Sequence, residues 1–225
     1  MRCLAILLLA AAPVGADEPA PLKKGDKIVF LGDSITAGGV GKNGYVTVIK
    51  NTLNEKHKHL NIEIVGAGIS GNKVPDLQRR LEKDVLAKKP TVVVIYIGIN
   101  DVWHGENDPA KGTPKDKFEA GLKDIIGKIQ ATGARVVLCT PTVIGEKKPG
   151  SNKLDKLLDE YSEVSRGVAK DTKSAPCDLR KAFQDHLTAN NADDKDKGIL
   201  TTDRVHLNEA GNKLVAETIL KAIDK

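Results

Sequence analysis

Four short segments of the chain carry side chains that could together perform acyl transfer. Residues 32–36 read GDSIT, a glycine-containing loop ends at Gly71, and residues 98–101 read GIND. Near the carboxyl end, residues 202–206 read TDRVH and place an aspartate and a histidine three positions apart. A hydroxyl nucleophile, a base with an orienting carboxylate, and additional hydrogen-bond donors are the groups that a serine esterase requires.

Each of these groups has a definite role in that chemistry. Ser34 is a poor nucleophile by itself and needs a base to take its proton. His206 can be that base, and Asp203 can hold the required imidazole tautomer and stabilise the imidazolium. The amides of Ser34 and Gly71 and the carboxamide of Asn100 can donate hydrogen bonds to the oxyanion of the tetrahedral intermediate. We therefore predict a catalytic triad and a three-donor oxyanion hole, with activity rising between about pH 5 and 8, where an unperturbed histidine titrates.

The elements that must position these groups follow from the hydrophobic pattern. Apolar, β-branched runs predict five strands, and apolar residues at helical spacing predict the helices between them. The predicted strands cover residues 27–31, 62–65, 91–97, 135–139 and 175–178. Regular alternation of strands and helices predicts a three-layer α/β/α sandwich with a flavodoxin-like parallel sheet in the order 2-1-3-4-5. In that order the segments that follow strands 1, 2 and 3 meet at one edge of the sheet.

The four segments resemble the four sequence blocks of the SGNH (GDSL) hydrolase family. They occur in the same order and are spread over nearly the whole chain after its first residues. The resemblance implies a three-layer α/β fold, hydrolysis of esters, thioesters or polysaccharide acetyl groups, and no metal or cofactor. It also implies the triad and oxyanion-hole roles given above. The sequence departs from the pattern at Gly66, where many members have asparagine, which affects a loop hydrogen bond rather than the chemistry.

Residues 66–71 read GAGISG and also match the glycine pattern of dinucleotide-binding folds. That fingerprint needs a helix that starts at its third glycine and an acidic residue at the end of the next strand. The residues after Gly71 indicate a later helix start, and strand 91–97 ends without an acidic residue. We therefore predict no nicotinamide cofactor. Gly71 is the donor, and Gly66 and Gly68 serve only to let the loop turn.

The first 16 residues have the composition of a secretory signal peptide. Arg2 precedes an apolar run over 4–14, which is too short for a bilayer span of roughly 20 residues. We expect cleavage after Ala16, a secreted or periplasmic location, and a single hydrolase domain over 17–225. An uncleaved anchor is the alternative.

Two cysteines remain after the predicted leader. Cys139 and Cys177 lack the spacing of zinc or redox motifs. Both fall in predicted neighbouring strands, and an exported protein could oxidise them. Buried free thiols are favoured over a disulfide.

The composition excludes several classes of partner. The chain has 225 residues with 35 Lys and Arg against 30 Asp and Glu, and only 3% of its residues are aromatic. The lysines are dispersed along the chain, and the aromatic residues on which nucleic-acid bases stack are scarce. We expect no nucleic-acid partner, no stable membrane insertion, and a monomer or weak oligomer.

Candidate edges of a substrate cleft follow the third strand and the fourth. Trp103 and His104 come shortly after Asn100 and are predicted to line the cleft, with simple loop packing as the equal alternative. Residues 141–152 and 192–200 are polar and predict loops that edge a cleft or merely cover the surface.

Taken together, these features predict an exported esterase for short acyl esters, chiefly acetyl groups and possibly on carbohydrates. A lysophospholipase or thioesterase is the alternative within the same chemistry. A non-catalytic carbohydrate-binding protein on the same fold is the alternative from another class.

Overall fold

A five-stranded parallel sheet runs through the centre of residues 21–224, which are the residues that this computed structural model describes. The strands are β1 (Lys27–Gly32), β2 (Glu63–Gly68), β3 (Val92–Tyr96), β4 (Arg135–Cys139) and β5 (Ala175–Cys177). Hydrogen bonds join them in the order β2-β1-β3-β4-β5, which confirms the predicted topology. The predicted leader over residues 1–16 lies outside the described residues.

Helices flank this sheet and supply the outer layers. They are α1 (Ser34–Gly39), α2 (Tyr45–Lys56), α3 (Val74–Asp84), α4 (Ile99–Trp103), α5 (Lys115–Gln130), α6 (Asp155–Asp171), α7 (Leu179–Asn190) and α8 (Glu209–Ile223). The sequence analysis predicts neither α1 nor α4, because helices of five or six residues are too short to show a helical period. Within residues 21–224, no helix has the length and apolar character needed to cross a bilayer.

The core explains why the strands differ in composition. All five side chains of β3 are buried, since this central strand is covered by helices on both faces. Strand β2 forms one edge of the sheet, and none of its residues is fully buried. The helix α5 turns a continuous apolar stripe onto the sheet. That stripe consists of Phe118, Leu122, Ile125, Ile126 and Ile129, all with no exposed surface.

Two glycines predicted to lie in a loop belong instead to β2. The strand continues through Gly66 to Gly68, so the prediction that these residues let a loop turn is wrong. A Cβ atom at Gly66 would overlap the Val40 side chain, and one at Gly68 would overlap the backbone of Ala37. Glycine is required here because α1 and the residues after it pack directly against the strand.

Cys139 and Cys177 are free thiols that lie side by side on two neighbouring strands. Cys139 and Cys177 are register partners in β4 and β5, and both are buried. Burial raises the pKa of Cys139 well above its ordinary value, and the neighbouring Cys177 raises it further. The thiol form, which is poorly reactive, therefore prevails.

Candidate active site

Ser34 is placed at the end of β1 by a sharp turn into α1. Asp33 caps the helix, since its Oδ1 accepts a hydrogen bond of 2.9 Å from the Ile35 amide. Gly32 precedes it, and a Cβ atom there would overlap the Thr36 hydroxyl and the backbone of β3. The turn thus leaves Ser34 partly exposed, although the residues on both sides of it are buried.

Ser34, His206 and Asp203 form one chain of hydrogen bonds. His206 Nε2 lies 2.9 Å from Ser34 Oγ, and His206 Nδ1 lies 2.7 Å from Asp203 Oδ2. An ionised carboxylate only accepts hydrogen bonds, so Nδ1 carries the proton and Nε2 is free to accept the serine proton. The structure therefore brings the three predicted triad residues into the arrangement required for nucleophilic activation.

Two backbone amides, in addition to the His206 ring, donate hydrogen bonds to the carboxylate of Asp203. Its Oδ1 accepts hydrogen bonds from the amides of Val205, at 3.1 Å, and His206, at 2.8 Å. Partial burial raises the pKa of Asp203, but the hydrogen bonds from His206 and these amides outweigh it and hold the pKa below its ordinary value. Asp203 is therefore ionised wherever the histidine can act as a base.

The predicted oxyanion-hole residues lie at the ends of the neighbouring strands. Gly68 pairs with Gly32 in the sheet, so the loop after β2 starts beside the turn that carries Ser34. Gly71 in that loop has φ of +77°, a conformation that favours glycine. Asn100 is the second residue of α4 and is buried, and its Nδ2 donates to the Asn72 carbonyl at 3.1 Å. That amide nitrogen has two hydrogens, so one remains for a substrate.

Asp101 connects the segment that follows β3 to the start of α3, after the loop that follows β2. Its Oδ1 accepts a hydrogen bond of 3.0 Å from the Val74 amide, at the start of α3. Burial raises the pKa of Asp101 to about 6, against the hydrogen bond from the Val74 amide, which lowers it. Asp101 thus braces the turn that carries Asn100 against the start of α3.

Arg80 is a supporting residue that the sequence analysis missed. Its guanidinium donates to the carbonyls of Gly32, at 2.7 Å, and Ala67, at 2.9 Å, and to Asn72 Oδ1, at 2.7 Å. Arg80 therefore links the end of β1 to the end of β2 and to the loop that follows β2. In the sequence it cannot be distinguished from its neighbour Arg79, whose side chain is 70% exposed and pairs only within its own helix.

Asp33 should make the stability of the protein fall as the pH rises from about 4 to about 7. Burial raises the pKa of Asp33 to about 7, and neighbouring Asp101 raises it further, against the Ile35 amide and His206, which lower it. An aspartate in the unfolded chain has a pKa of about 3.9. Between that pH and about 7 the folded protein therefore holds a proton that the unfolded chain releases. Asp33→Asn, which can still cap α1, should remove this loss, at most about 1.4 kcal/mol per pH unit.

Urea denaturation of wild type and Asp33→Asn between pH 4.5 and 7.5 measures this difference. Asp178→Asn is the control, because the pKa of Asp178 is shifted in the opposite direction to that of Asp33. Partial burial raises the pKa of Asp178, but its hydrogen bond from Arg166 holds it below the ordinary value. The stability that Asp178 contributes is lost only as the pH falls below about 4, so within the measured range Asp178→Asn should lower the stability by an amount that does not change with pH. Parallel stability curves for wild type and Asp33→Asn would contradict a protonated Asp33.

Trp103 and His104 lie outside the triad network, on a groove of about 590 Å³. The groove is also lined by Lys73, Asn107, Asp108, Ala110 and Lys111. Trp103 is partly buried against the core and is the last residue of α4, in which Asn100 is the second, so the groove lies beside the predicted oxyanion hole. Partial desolvation and Lys73 lower the pKa of His104, which keeps its ring neutral at pH 7. Within residues 21–224, no three His, Cys, Asp or Glu side chains are grouped as metal ligands.

A second cavity, of about 470 Å³, lies between α2 and α8. Lys56 of α2 and Glu209, Lys213 and Glu217 of α8 are among the side chains that line it. None of the predicted site residues reaches it, so it is separate from the triad.

Comparison with known proteins places these features in a family. Residues 30–214 match the model of the GDSL-like lipase/acylhydrolase family. The acetylxylan esterase of Geobacillus stearothermophilus is 34% identical over 215 residues, which cover 88% of this chain and 94% of that protein. The crystal structure of the acetyl xylan esterase AlAXEase is 45% identical, with a TM-score of 0.83, over 88% of this chain and 99% of that one. An isoamyl acetate-hydrolyzing esterase 1 homolog of Rattus norvegicus is 26% identical over 88% of this chain and 82% of its own length.

Proposed function

Because the chain belongs to the GDSL-like lipase/acylhydrolase family and is a carboxylic ester hydrolase, we propose that it is an exported serine esterase that removes short acyl groups, chiefly acetyl, from carbohydrates. The observation that carries the proposal is the hydrogen-bonded chain of Ser34, His206 and Asp203. An exported location follows from the predicted leader over residues 1–16 and suits polysaccharide substrates, which are found outside the cell.

The reaction proceeds in two acyl transfers. His206 Nε2 takes the proton of Ser34 as the oxygen attacks the ester carbonyl, and Asp203 stabilises the imidazolium that forms. The tetrahedral intermediate collapses when His206 gives that proton to the departing sugar hydroxyl, which leaves Ser34 acylated. His206 then takes a proton from water, the resulting hydroxide attacks the acyl group, and acetate is released as Ser34 recovers its proton.

The intermediate is stabilised by donors fixed before the reaction begins. Ser34 lies in the first turn of α1, where amides have no acceptor within the helix. In the proposed mechanism its amide, the Gly71 amide and the remaining Asn100 hydrogen donate to the negative oxygen of the intermediate. One such donor is typically worth about 2.7–4 kcal/mol of barrier, so these residues matter nearly as much as the triad.

The groove beside the site supports a sugar as the alcohol portion. Trp103 offers an aromatic face for the apolar side of a sugar ring, and neutral His104 can exchange hydrogen bonds with hydroxyl groups. Lys73, Asn107 and Asp108 add polar contacts. Such a lining suits a hydrated carbohydrate better than a long acyl chain, which would require an apolar channel.

A panel of substrates tests this proposal. We expect acetylated xylan to release acetate, and 4-nitrophenyl acetate to be hydrolysed at least about tenfold more efficiently than the octanoate, since an open polar groove gains little from added methylenes. The Ser34→Ala variant is the control for uncatalysed hydrolysis. Preference for octanoyl esters would instead indicate a lysophospholipase or thioesterase. Binding of xylan without any Ser34-dependent hydrolysis would indicate a carbohydrate-binding protein.

A further inference from the structure

A buried carboxylate far from the triad in sequence holds the loop on which Asp203 and His206 lie. Glu146 follows β4 and has no exposed surface. Its Oε2 accepts a hydrogen bond of 2.7 Å from the Ile199 amide, and its Oε1 accepts from the amides of Leu200, at 2.7 Å, and Thr201. We propose that Glu146 is a positioning residue for the triad, and this inference rests on the proposed function.

The requirement for a carboxylate at this position follows from the number of donors. Three consecutive amides point at one place, and burying them without acceptors would cost about 1–3 kcal/mol each. Two carboxylate oxygens can accept all three, whereas a neutral side chain cannot. Within residues 21–224 no basic side chain forms an ion pair with Glu146, so the buried charge is balanced by these amide dipoles.

The backbone next to Glu146 joins the same loop at further points. The Gly145 amide donates to the Arg204 carbonyl at 2.9 Å, and the Glu146 amide donates to the Asp196 carbonyl at 2.9 Å. The Asn191 side chain in turn donates to the Glu146 carbonyl at 2.7 Å. Segment 141–146 is buried throughout, so these bonds attach the loop to a packed segment that follows β4.

The clamped residues are connected directly to the predicted base. Thr201 forms an antiparallel bridge with Leu207, and the Thr202 amide donates to the His206 carbonyl at 2.8 Å. Displacement of residues 199–201 would therefore move His206 relative to Ser34, which is attached to a different part of the sheet. A misplacement of about 1 Å between reacting groups can cost about 10²-fold in rate.

Replacing Glu146 by glutamine tests the role of the carboxylate. If the side-chain oxygen of the glutamine accepts from the backbone amides of Leu200 and Thr201, its NH₂ group lies opposite the backbone amide of Ile199. Two donors then face each other without an acceptor. We expect Glu146→Gln to lower kcat about 10²-fold with little change in KM. We also expect faster hydrogen exchange in the peptide that covers residues 196–207, measured by mass spectrometry independently of activity.

Asp155→Asn is the matched control, because Asp155 is another buried carboxylate near this segment. It accepts hydrogen bonds from the Gly150 amide and from the backbone and side-chain amides of Asn152, pairs with buried Arg180, and forms no hydrogen bond with residues 196–207. Its loss should lower the thermal stability while leaving kcat, the pH profile and exchange in residues 196–207 at wild-type values. A general loss of stability would thus be separated from a loss of positioning.

The outcomes separate this inference from the proposed function. If Glu146→Gln keeps wild-type kcat and wild-type exchange in residues 196–207, the positioning role is overturned. If wild-type and Ser34→Ala proteins show equal activity, the proposed function fails, and faster exchange in Glu146→Gln then supports only the clamp on the loop. Should Glu146→Gln not fold, Glu146→Asp, which keeps the charge but is one methylene shorter, is measured by the same criteria.

Discussion

Replacement of Ser34 by alanine should lower kcat about 10⁶-fold, and replacement of His206 by alanine should have nearly the same effect. The two side chains share one hydrogen bond of 2.9 Å, through which the proton leaves the serine. Neither group can therefore act without the other, and the double variant should be no slower than either single variant. Steady-state hydrolysis of 4-nitrophenyl acetate measures these rates, with circular dichroism to check the fold.

The matched control for the serine is Ser151→Ala. Ser151 is exposed in the segment between β4 and α6 and contacts none of the predicted site residues, so its loss should leave kcat unchanged. Residual activity of about 10³–10⁴ over water is still expected for the triad variants, because the oxyanion donors remain. Activity of Ser34→Ala within tenfold of wild type would refute the nucleophile assignment.

Replacement of Asp203 by asparagine should lower kcat about 10⁴-fold by reversing the histidine tautomer. The Val205 and His206 amides donate to Oδ1, so an asparagine would keep its oxygen on those amides. Its NH₂ group would then face His206 Nδ1, which must accept a hydrogen bond. The proton would move to Nε2, and Nε2 could no longer accept from Ser34.

Asp196→Asn provides the comparison for this second effect. Asp196 lies just before the same loop and pairs with Arg204 at 2.8 Å, with both side chains substantially exposed. Exposed ion pairs contribute little, so this variant should keep nearly wild-type kcat. Similar kcat values for Asp203→Asn and Asp196→Asn would show that the carboxylate of Asp203 does not orient the base.

The strands and the site residues could be predicted because each leaves a local signal. Continuous β-branched runs indicate buried strands, and the alternation with helices leads to the observed order of the sheet. Family-like segments indicated Ser34, Gly71, Asn100, Asp203 and His206 as candidates, and the structure joins Ser34, His206 and Asp203 by hydrogen bonds. The proximity of Ser34, Gly71 and Asn100 then followed from which strands are neighbours, whereas that of Asp203 and His206 rested on the family resemblance.

Supporting residues could not be found in the same way, because their partners are distant in sequence. Arg80 contacts three carbonyl or carboxamide oxygens that lie in two other segments, and nothing in the α3 sequence marks it. Glu146 falls in a segment predicted to be a polar loop at the surface or the edge of a cleft. For residues 141–146 that prediction is wrong, since all six are buried. From the sequence alone a charged residue is expected to be exposed, because the amides that donate hydrogen bonds to it are not known.

The triad residues opposite Ser34 are about half exposed, with 41% of the His206 side chain and 50% of the Asp203 side chain accessible, whereas Asn100 is 4% exposed. In the proposed mechanism the groups that transfer protons are thus exposed to water, whereas one of the proposed oxyanion donors, Asn100, is not. Salt and water weaken the fields of exposed groups, so among the proposed oxyanion donors we expect the largest electrostatic stabilisation at the buried Asn100, since Gly71 is exposed and Ser34 is partly exposed. A broad polysaccharide lying over His206 and Asp203 would displace that water and form the missing wall of the site. The substrate itself would then complete the low-dielectric pocket, and a small ester would leave it open.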